Sequence, residues 1–384
     1  MELLQTLSTI FASVVAGVLL VLTPLLSLVS GAVSTPAIHI APLLEQHATS
    51  TAQSPALSAT TSVTSTSTKK TAAPAPSKGA VSISASSITP PVKAPATTTP
   101  AIDPTLLNTQ TRAGLVNILC LTNTSLVHPI SASGVFVDSR GVILTNAHVG
   151  QFFLLNDFPS PGSVNCVVRT GSPAMPAYYA TLLYLPPAWI QANASQIVAQ
   201  EALGTGENDY AFLLVTGAVG STPLPVSFPA LPMTNVEPTL GDQTLLAAYP
   251  AGFLDGQTIV KSLYIASAYA AVKELFTFGT GRDIDLISIG GTVVSQGGSS
   301  GGAVVRTDSG DLEAIIATDT SADTTAQRDL RAITLAHVNR SLIKYGQGGI
   351  VSFLSQDLTK EALLFASSIA PAEKAALVSA IEKH

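Results

Sequence analysis

One glycine-rich run, QGGSSGG at residues 296–302, constrains this chain more than any other stretch. It lies between two apolar segments, Val293–Val294 and Ala303–Val305. Glycine raises the entropic cost of ordering a backbone and removes packing side chains, so the run is a poor regular element. It suits a site where the Ser300 hydroxyl is a nucleophile and the amides of Gly298 and Ser300 face a developing oxyanion. The alternative is a flexible glycine-rich hairpin.

Two other stretches favour the first interpretation. VILTNAHV at 142–149 is a hydrophobic strand that ends on His148, and ENDYAFLLV at 207–215 places Asp209 just before a second apolar strand. A serine nucleophile, a histidine base and an aspartate that orients the histidine form the apparatus of acyl transfer. The alternatives are an ordinary histidine of a β-sheet and an aspartate of a turn.

In type, order and spacing, these three motifs resemble those of the trypsin-like (chymotrypsin-fold) serine proteases, and among them the HtrA-like bacterial branch. The resemblance covers about residues 112–345. It implies a mainly β fold of two six-stranded antiparallel β-barrels, with His148, Asp209 and Ser300 as catalytic residues and an oxyanion hole at Gly298 and Ser300. It also implies a protein or peptide substrate and no cofactor. HtrA-like proteins often carry a PDZ module after the protease, but only about 40 residues follow here, so we expect none.

The same resemblance suggests where the substrate binds. It places Val294, six residues before the serine, near the base of the pocket for the P1 side chain, which precedes the cleaved bond. It places Ala317 and Thr318 on a strand that lines one wall and pairs with the substrate backbone. Because residue 294 is not acidic, we expect a small or apolar P1 side chain rather than Arg or Lys, unless Asp319 points inward.

The amino-terminal part of the chain has a different composition. Residues 3–33 contain no charged side chain, and such a run is long enough to span a bilayer as a helix. We expect residues 1–33 to be a transmembrane anchor, with the protease domain on the extracytoplasmic side. The alternative is a signal peptide cleaved near Ser30–Ala32, which would make the protein secreted. The nearest Lys, Lys69, is too distant to orient the segment.

The remaining chain divides by composition. Ser, Thr, Pro and Ala dominate the next 70 residues. Such a segment cannot bury enough apolar area to offset the conformational entropy lost on folding. Apolar strand patterns follow, and helical periodicity ends the chain, interrupted by Pro371. We therefore expect a disordered linker at 34–104, a protease domain at 105–353 (barrel one about 105–220, barrel two about 239–345) and a C-terminal helical tail at 354–384.

Net charge and the number of cysteines limit which partners and cross-links we expect. The net charge of −6 provides no basic surface for nucleic acid, so we expect no nucleic-acid partner. The two cysteines, Cys120 and Cys166, fall on predicted strands of barrel one and favour a disulfide if the domain is exported, with two reduced core cysteines as the alternative. The Cys and His spacing predicts no metal site, and His337 is expected on the surface. The oligomeric state stays open.

Taken together, the sequence predicts a membrane-tethered serine endopeptidase that works through an acyl-enzyme intermediate. Two other functions stay open at this point. A protease-like fold that only captures extended peptides would need no intact His-Asp-Ser set. An esterase-type hydrolase would use the same nucleophile on another substrate.

Overall fold

The computed structural model describes residues 102–199, 205–318, 322 and 324–384. The expected anchor at 1–33 and the expected linker up to residue 101 lie outside these residues. Among the residues described, no single helix is both long and apolar enough to cross a membrane. One bent pair of helices near the carboxyl end meets the length and composition criteria only when its two members are joined.

The first half of the described chain forms a closed six-stranded barrel in the order β1-β2-β3-β6-β5-β4. Every neighbouring pair is antiparallel. Strand β3 is buried along its whole length between β2 and β6, which explains the apolar residues 142–144. The strands are β1 (Leu115–Thr122), β2 (Ile130–Asp138), β3 (Val142–Thr145), β4 (Val164–Thr170), β5 (Met175–Tyr184) and β6 (Ala211–Ala218).

The second half forms a seven-stranded sheet in the order β8-β7-β11-β12-β13-β10-β9. The expected second six-stranded barrel is therefore corrected to a half-barrel: β8 and β9 are the two edges of the sheet and do not pair with each other. The strands are β7 (Gln243–Ala248), β8 (Ala266–Ala271), β9 (Glu274–Phe276), β10 (Leu286–Gly290), β11 (Ala303–Arg306), β12 (Leu312–Thr318) and β13 (Leu330–Thr334).

Along the chain, helices precede the barrel, separate strands within the barrel and within the sheet, and follow the sheet. The α-helices are α1 (Pro104–Ala113), α2 (Ala147–Gly150), α3 (Pro187–Asn193), α4 (Gly256–Lys261), α5 (Leu335–Lys344), α6 (Gly349–Leu354), α7 (Leu358–Ser368) and α8 (Ala370–Glu382). Short 3₁₀ helices lie at Gln151–Leu155, Ala194–Val198 and Thr325–Gln327.

Two apolar stretches of the second half, 260–270 and 292–294, are predicted from the sequence as strands, and the structure corrects part of the first and all of the second. The first stretch forms a strand only from residue 266, where β8 begins. Its start lies within α4, because the Asp255 carboxylate caps that helix by accepting from the amides of Gln257 and Thr258. The expected strand 292–294 is a turn, in which the Thr292 amide donates to Ser295 Oγ. Short-range side-chain caps override the apolar pattern at both places.

The expected pairing of the two cysteines is confirmed. Cys120 and Cys166 are 46 residues apart in the chain and form a disulfide between directly opposed positions of β1 and β4. The bond therefore closes a loop within the barrel and limits the conformations open to the unfolded chain.

The C-terminal helices pack on the barrel rather than extending from it. Pro371 lies in the first turn of α8, where its missing N–H leaves no helical hydrogen bond unmade. Leu377 and Ile381 are buried in the main core together with Ile190 and Ile197. Helix α8 thus supports α3 and the 3₁₀ helix that follows it, two segments that reappear below as one wall of a cleft.

Candidate active site

The aspartate and histidine singled out in the sequence form a close pair. Strand β3 leads into α2, which carries His148, and His148 Nδ1 lies 2.8 Å from Asp209 Oδ2. The backbone N–H of His148 donates to the other carboxylate oxygen at 2.9 Å, and Asn146 Nδ2 donates to the Asp209 carbonyl at 2.9 Å. One carboxylate oxygen therefore holds the imidazole at Nδ1 and the other holds the backbone of the same residue, which leaves Nε2 for proton exchange.

The electrostatics of this pair favour a charged imidazole. Burial lowers the pKa of His148, but the negative charge of Asp209 and its hydrogen bond raise that pKa by more, so the net shift is upward from the ordinary value. The side chain of Asp209 is only 7% exposed, which limits screening of its charge by water. The carboxylate thus stabilises the protonated form that a general base passes through.

Two positions of the glycine-rich run must be glycine because their backbone lies directly against the backbone of other segments. Gly298 has φ +90°, and a Cβ there would lie 2.7 Å from the Tyr249 carbonyl oxygen. Gly301 has φ +81°, and its Cβ would lie 2.1 Å from the Ser133 carbonyl oxygen. Only glycine fits both the positive φ and the approach. This close approach brings Ser300 from the sheet to the edge of the barrel.

Hydrogen bonds also set the direction of two amides beside Ser300. The Gly297 carbonyl accepts from the Ala251 amide at 2.7 Å, and the Ser299 carbonyl accepts from the Gly302 amide at 2.9 Å. In a trans peptide the N–H points opposite to the carbonyl, so the N–H groups of Gly298 and Ser300 point away from those partners. Neither amide donates a hydrogen bond to another residue of the described part of the chain. Both are therefore available to an oxyanion.

Ser133 of β2 is a site residue that sequence reasoning missed. Its amide donates to the Ser300 carbonyl at 2.8 Å, and its Oγ donates to the Gly298 carbonyl at 2.8 Å while accepting from the Tyr249 amide at 2.9 Å. This fully buried serine joins the barrel to the glycine-rich run. A serine in an apolar strand carries no local signal of a partner that lies 165 residues further along the chain.

His148, Asp209 and Ser300 line one cleft of about 360 Å³, together with Gly298. Ile316, Ala317 and Leu330 contribute an apolar surface from the sheet, and α3 and the following 3₁₀ helix contribute Trp189, Asn193, Gln196 and Ile197. Arg328 also lines the cleft, and its Nη1 donates to the Ser295 carbonyl at 3.3 Å.

Val294 and Thr318, which are also expected at the substrate site, are not among the described residues that line this cleft. Val294 is fully buried in the core of the second sheet. Thr318 is the last residue of β12, and Asp319 lies outside the described residues. In the part of the chain that the structure describes, no three His, Cys, Asp or Glu side chains come together where they could hold a metal ion.

A second histidine–aspartate pair corrects the expectation that His337 is a surface residue. His337 lies in α5 and is buried, and its Nδ1 is 2.8 Å from Asp285 Oδ1. Here burial and the Arg340 charge lower the pKa of His337, and together they outweigh the opposing effects of Asp285 and Glu207, so the net shift is downward. Two pairs of equal length therefore contain histidines whose net pKa shifts are opposite in direction.

Part of this chain matches a known protein family. Residues 132–315 match the family described as the trypsin-like peptidase domain. A search of curated proteins found no match.

Three solved structures are similar to the chain, each with a TM-score below 0.5 and a sequence identity below 25%. Deg5 has a TM-score of 0.41 and 17% identity and covers 63% of this chain and 94% of its own. The Rv3671c protease from M. tuberculosis, in its active form, has a TM-score of 0.39 and 21% identity, covering 66% and 94%. The HtrA-type protease AlgW with a tripeptide has a TM-score of 0.39 and 18% identity, covering 62% and 63%. These values are too low to transfer an activity to this chain.

The contrast between the two histidine pairs can be measured directly. In an NMR titration of the imidazole resonances, we expect the pKa of His148 above about 6.5 and that of His337 below it. In Asp209→Asn, the pKa of His148 should fall below about 6.5, because burial then acts without the opposing charge. Asp285→Asn is the matched control and should leave the pKa of His148 unchanged. A His148 pKa that does not respond to Asp209→Asn would contradict the pairing.

Proposed function

We propose that this chain, which carries a trypsin-like peptidase domain at residues 132–315, cleaves peptide bonds with Ser300 as nucleophile, His148 as base and Asp209 as the group that orients it. The family match supports a serine endopeptidase. The observation that carries the residue assignment is the His148–Asp209 pair, with its 2.8 Å contact, in the same cleft as Ser300.

In the proposed reaction, Ser300 Oγ attacks the carbonyl carbon of the substrate while its proton passes to His148 Nε2. The electron pair of the C=O bond moves onto oxygen, and the amides of Gly298 and Ser300 stabilise that charge. The tetrahedral intermediate then collapses, the C–N bond breaks, and His148 returns the proton to the leaving amine. In the second half of the reaction, water attacks the carbonyl carbon of the acyl-enzyme while His148 takes its proton. The bond between that carbon and Ser300 Oγ then breaks, and His148 returns the proton to Ser300. Asp209 stabilises the imidazolium throughout.

We expect Ser300→Ala, in the full-length protein purified in detergent, to lose labelling by a fluorophosphonate. Its hydrolysis of an unfolded protein should fall by roughly 10⁶-fold, because the nucleophile is gone. Asp209→Asn should lower kcat by about 10⁴-fold. Ser309→Ala, which changes an exposed turn serine, is the control and should behave as wild type.

Three results would overturn the assignment. Equal labelling of wild type and Ser300→Ala would exclude Ser300 as the nucleophile. Peptide binding without turnover by the wild type would indicate a non-catalytic binding module. Cleavage of esters but not of peptides would indicate an esterase-type hydrolase.

We also propose that the enzyme prefers a small or apolar P1 side chain. Two observations support this: Ile316, Ala317 and Leu330 line the cleft, and Val294 is buried without supplying a carboxylate. With four peptides that differ only in P1 (Ala, Leu, Lys or Glu), we expect kcat/KM for Ala or Leu to exceed that for Lys by at least about tenfold. Preference for Lys would contradict the proposal and make Glu207, which also lines the cleft, the specificity residue. Preference for Glu would contradict it by placing a positive charge in the pocket.

The proposed location rests on the sequence of residues 1–33, which has no charge after Glu2. We propose that this segment anchors the protein in the membrane with the protease domain on the extracytoplasmic side. In fractionated cells, the protein should stay with the membrane in alkaline carbonate, and a variant lacking residues 1–33 should not. A mature amino terminus just after Ala32, with the protein in the soluble extracytoplasmic fraction, would indicate a cleaved signal peptide instead.

A further inference from the structure

The residue before Asp209 has an unusual backbone conformation. Asn208 has φ +58°, and it is the one non-glycine residue with positive φ in the described part of the chain. Asparagine tolerates this left-handed conformation better than most residues, but it is still held there only where surrounding contacts require it. Asn208 is buried, so those contacts come from the protein itself.

A hydroxyl from the second half of the fold supplies one of these contacts. Ser341 Oγ, on α5, donates to Asn208 Oδ1 at 2.9 Å, and the Tyr210 hydroxyl donates to Ser341 Oγ at 2.9 Å. Both Ser341 and Tyr210 are buried, so water does not compete for these bonds. One serine thus holds the residues on both sides of Asp209.

The backbone of residues 206–210, which includes Asn208 and Tyr210, forms a tight turn. The Asp209 amide donates to the Gly206 carbonyl at 3.1 Å, and the Tyr210 amide donates to the Asn208 carbonyl at 2.9 Å. The direction of the Asp209 carboxylate therefore depends on the conformation of Asn208. A rotation there would disturb both hydrogen bonds between the carboxylate and His148.

We propose that Ser341 is a positioning residue: through Asn208 it sets the turn that aims the Asp209 carboxylate at His148. This proposal rests on the proposed function, in which that carboxylate orients the base. It means that a helix following the second sheet controls an acid carried by the first barrel. Ser341 touches neither the substrate nor the reacting atoms.

Two variants remove the same hydrogen bond from opposite ends. Ser341→Ala removes the donor, and Asn208→Gly removes the acceptor but keeps a residue that accepts positive φ. For each we expect kcat to fall about tenfold with KM within about twofold, because orientation of the base affects the transition state more than substrate binding. The double variant should be no worse than Ser341→Ala, since that variant already lacks the bond to Asn208 and the bond from the Tyr210 hydroxyl.

The controls separate positioning from general stability. Ser341→Thr keeps the hydroxyl and should recover most of the lost kcat, whereas Ser367→Ala, an exposed serine of α7, should match wild type. Folded Ser341→Ala and Asn208→Gly with unchanged kcat would overturn the proposal, as would losses that appear only in KM or that multiply in the double variant.

A second measurement keeps the inference independent of activity. In an NMR titration, Ser341→Ala and Asn208→Gly should both lower the pKa of His148, because a displaced carboxylate stabilises the imidazolium less. If the wild type hydrolyses nothing but this shift occurs, the proposed function fails and the positioning role stands. If the wild type is active and the His148 pKa does not move in either variant, the positioning role fails alone.

Discussion

The contact between the glycine-rich run and the first barrel is the constraint on which the site depends. At Gly301 the backbone approaches the Ser133 carbonyl so closely that a Cβ would lie 2.1 Å from its oxygen. The same serine holds the carbonyls of Gly298 and Ser300. Because two carbonyls are fixed in this way, the loop is pinned to a strand of the other half of the fold. Ser300 can then lie in the cleft that His148 and Asp209 also line.

The two histidine–aspartate pairs show that contact distance alone does not set the chemistry of a histidine. Both pairs have a 2.8 Å contact between Nδ1 and a carboxylate oxygen. Burial lowers the pKa of both histidines. At His148 the charge and the hydrogen bond of Asp209 together outweigh burial, whereas at His337 the charge of Arg340, which also hydrogen-bonds to Asp285, adds to burial and the net shift is downward. Only the pair in the cleft is thus suited to accept a proton.

Parts of the chain outside the family match contribute to the same cleft. Helix α8 packs against the segment that includes Trp189 and Ile197, and α5 contacts the turn that carries Asp209 through Ser341. Both helices follow residue 315, where the match to the trypsin-like peptidase domain ends. The carboxyl-terminal residues are therefore a structural part of the cleft rather than an appendage, because their buried side chains support its walls.

The sequence by itself determined the identity and order of the candidate residues, indicated strands at both cysteines and beside His148 and Asp209, and favoured a disulfide between Cys120 and Cys166. These features are local: apolar runs, a glycine-rich turn and an even cysteine count. Tertiary structure alone decided that the second sheet stays open, that His337 is buried and that Ser133 and Ser341 contact the site loops. Ser341 lies 133 residues from its partner Asn208. Hydrogen bonds across such separations leave no periodic trace in a sequence, since they depend on how whole elements pack.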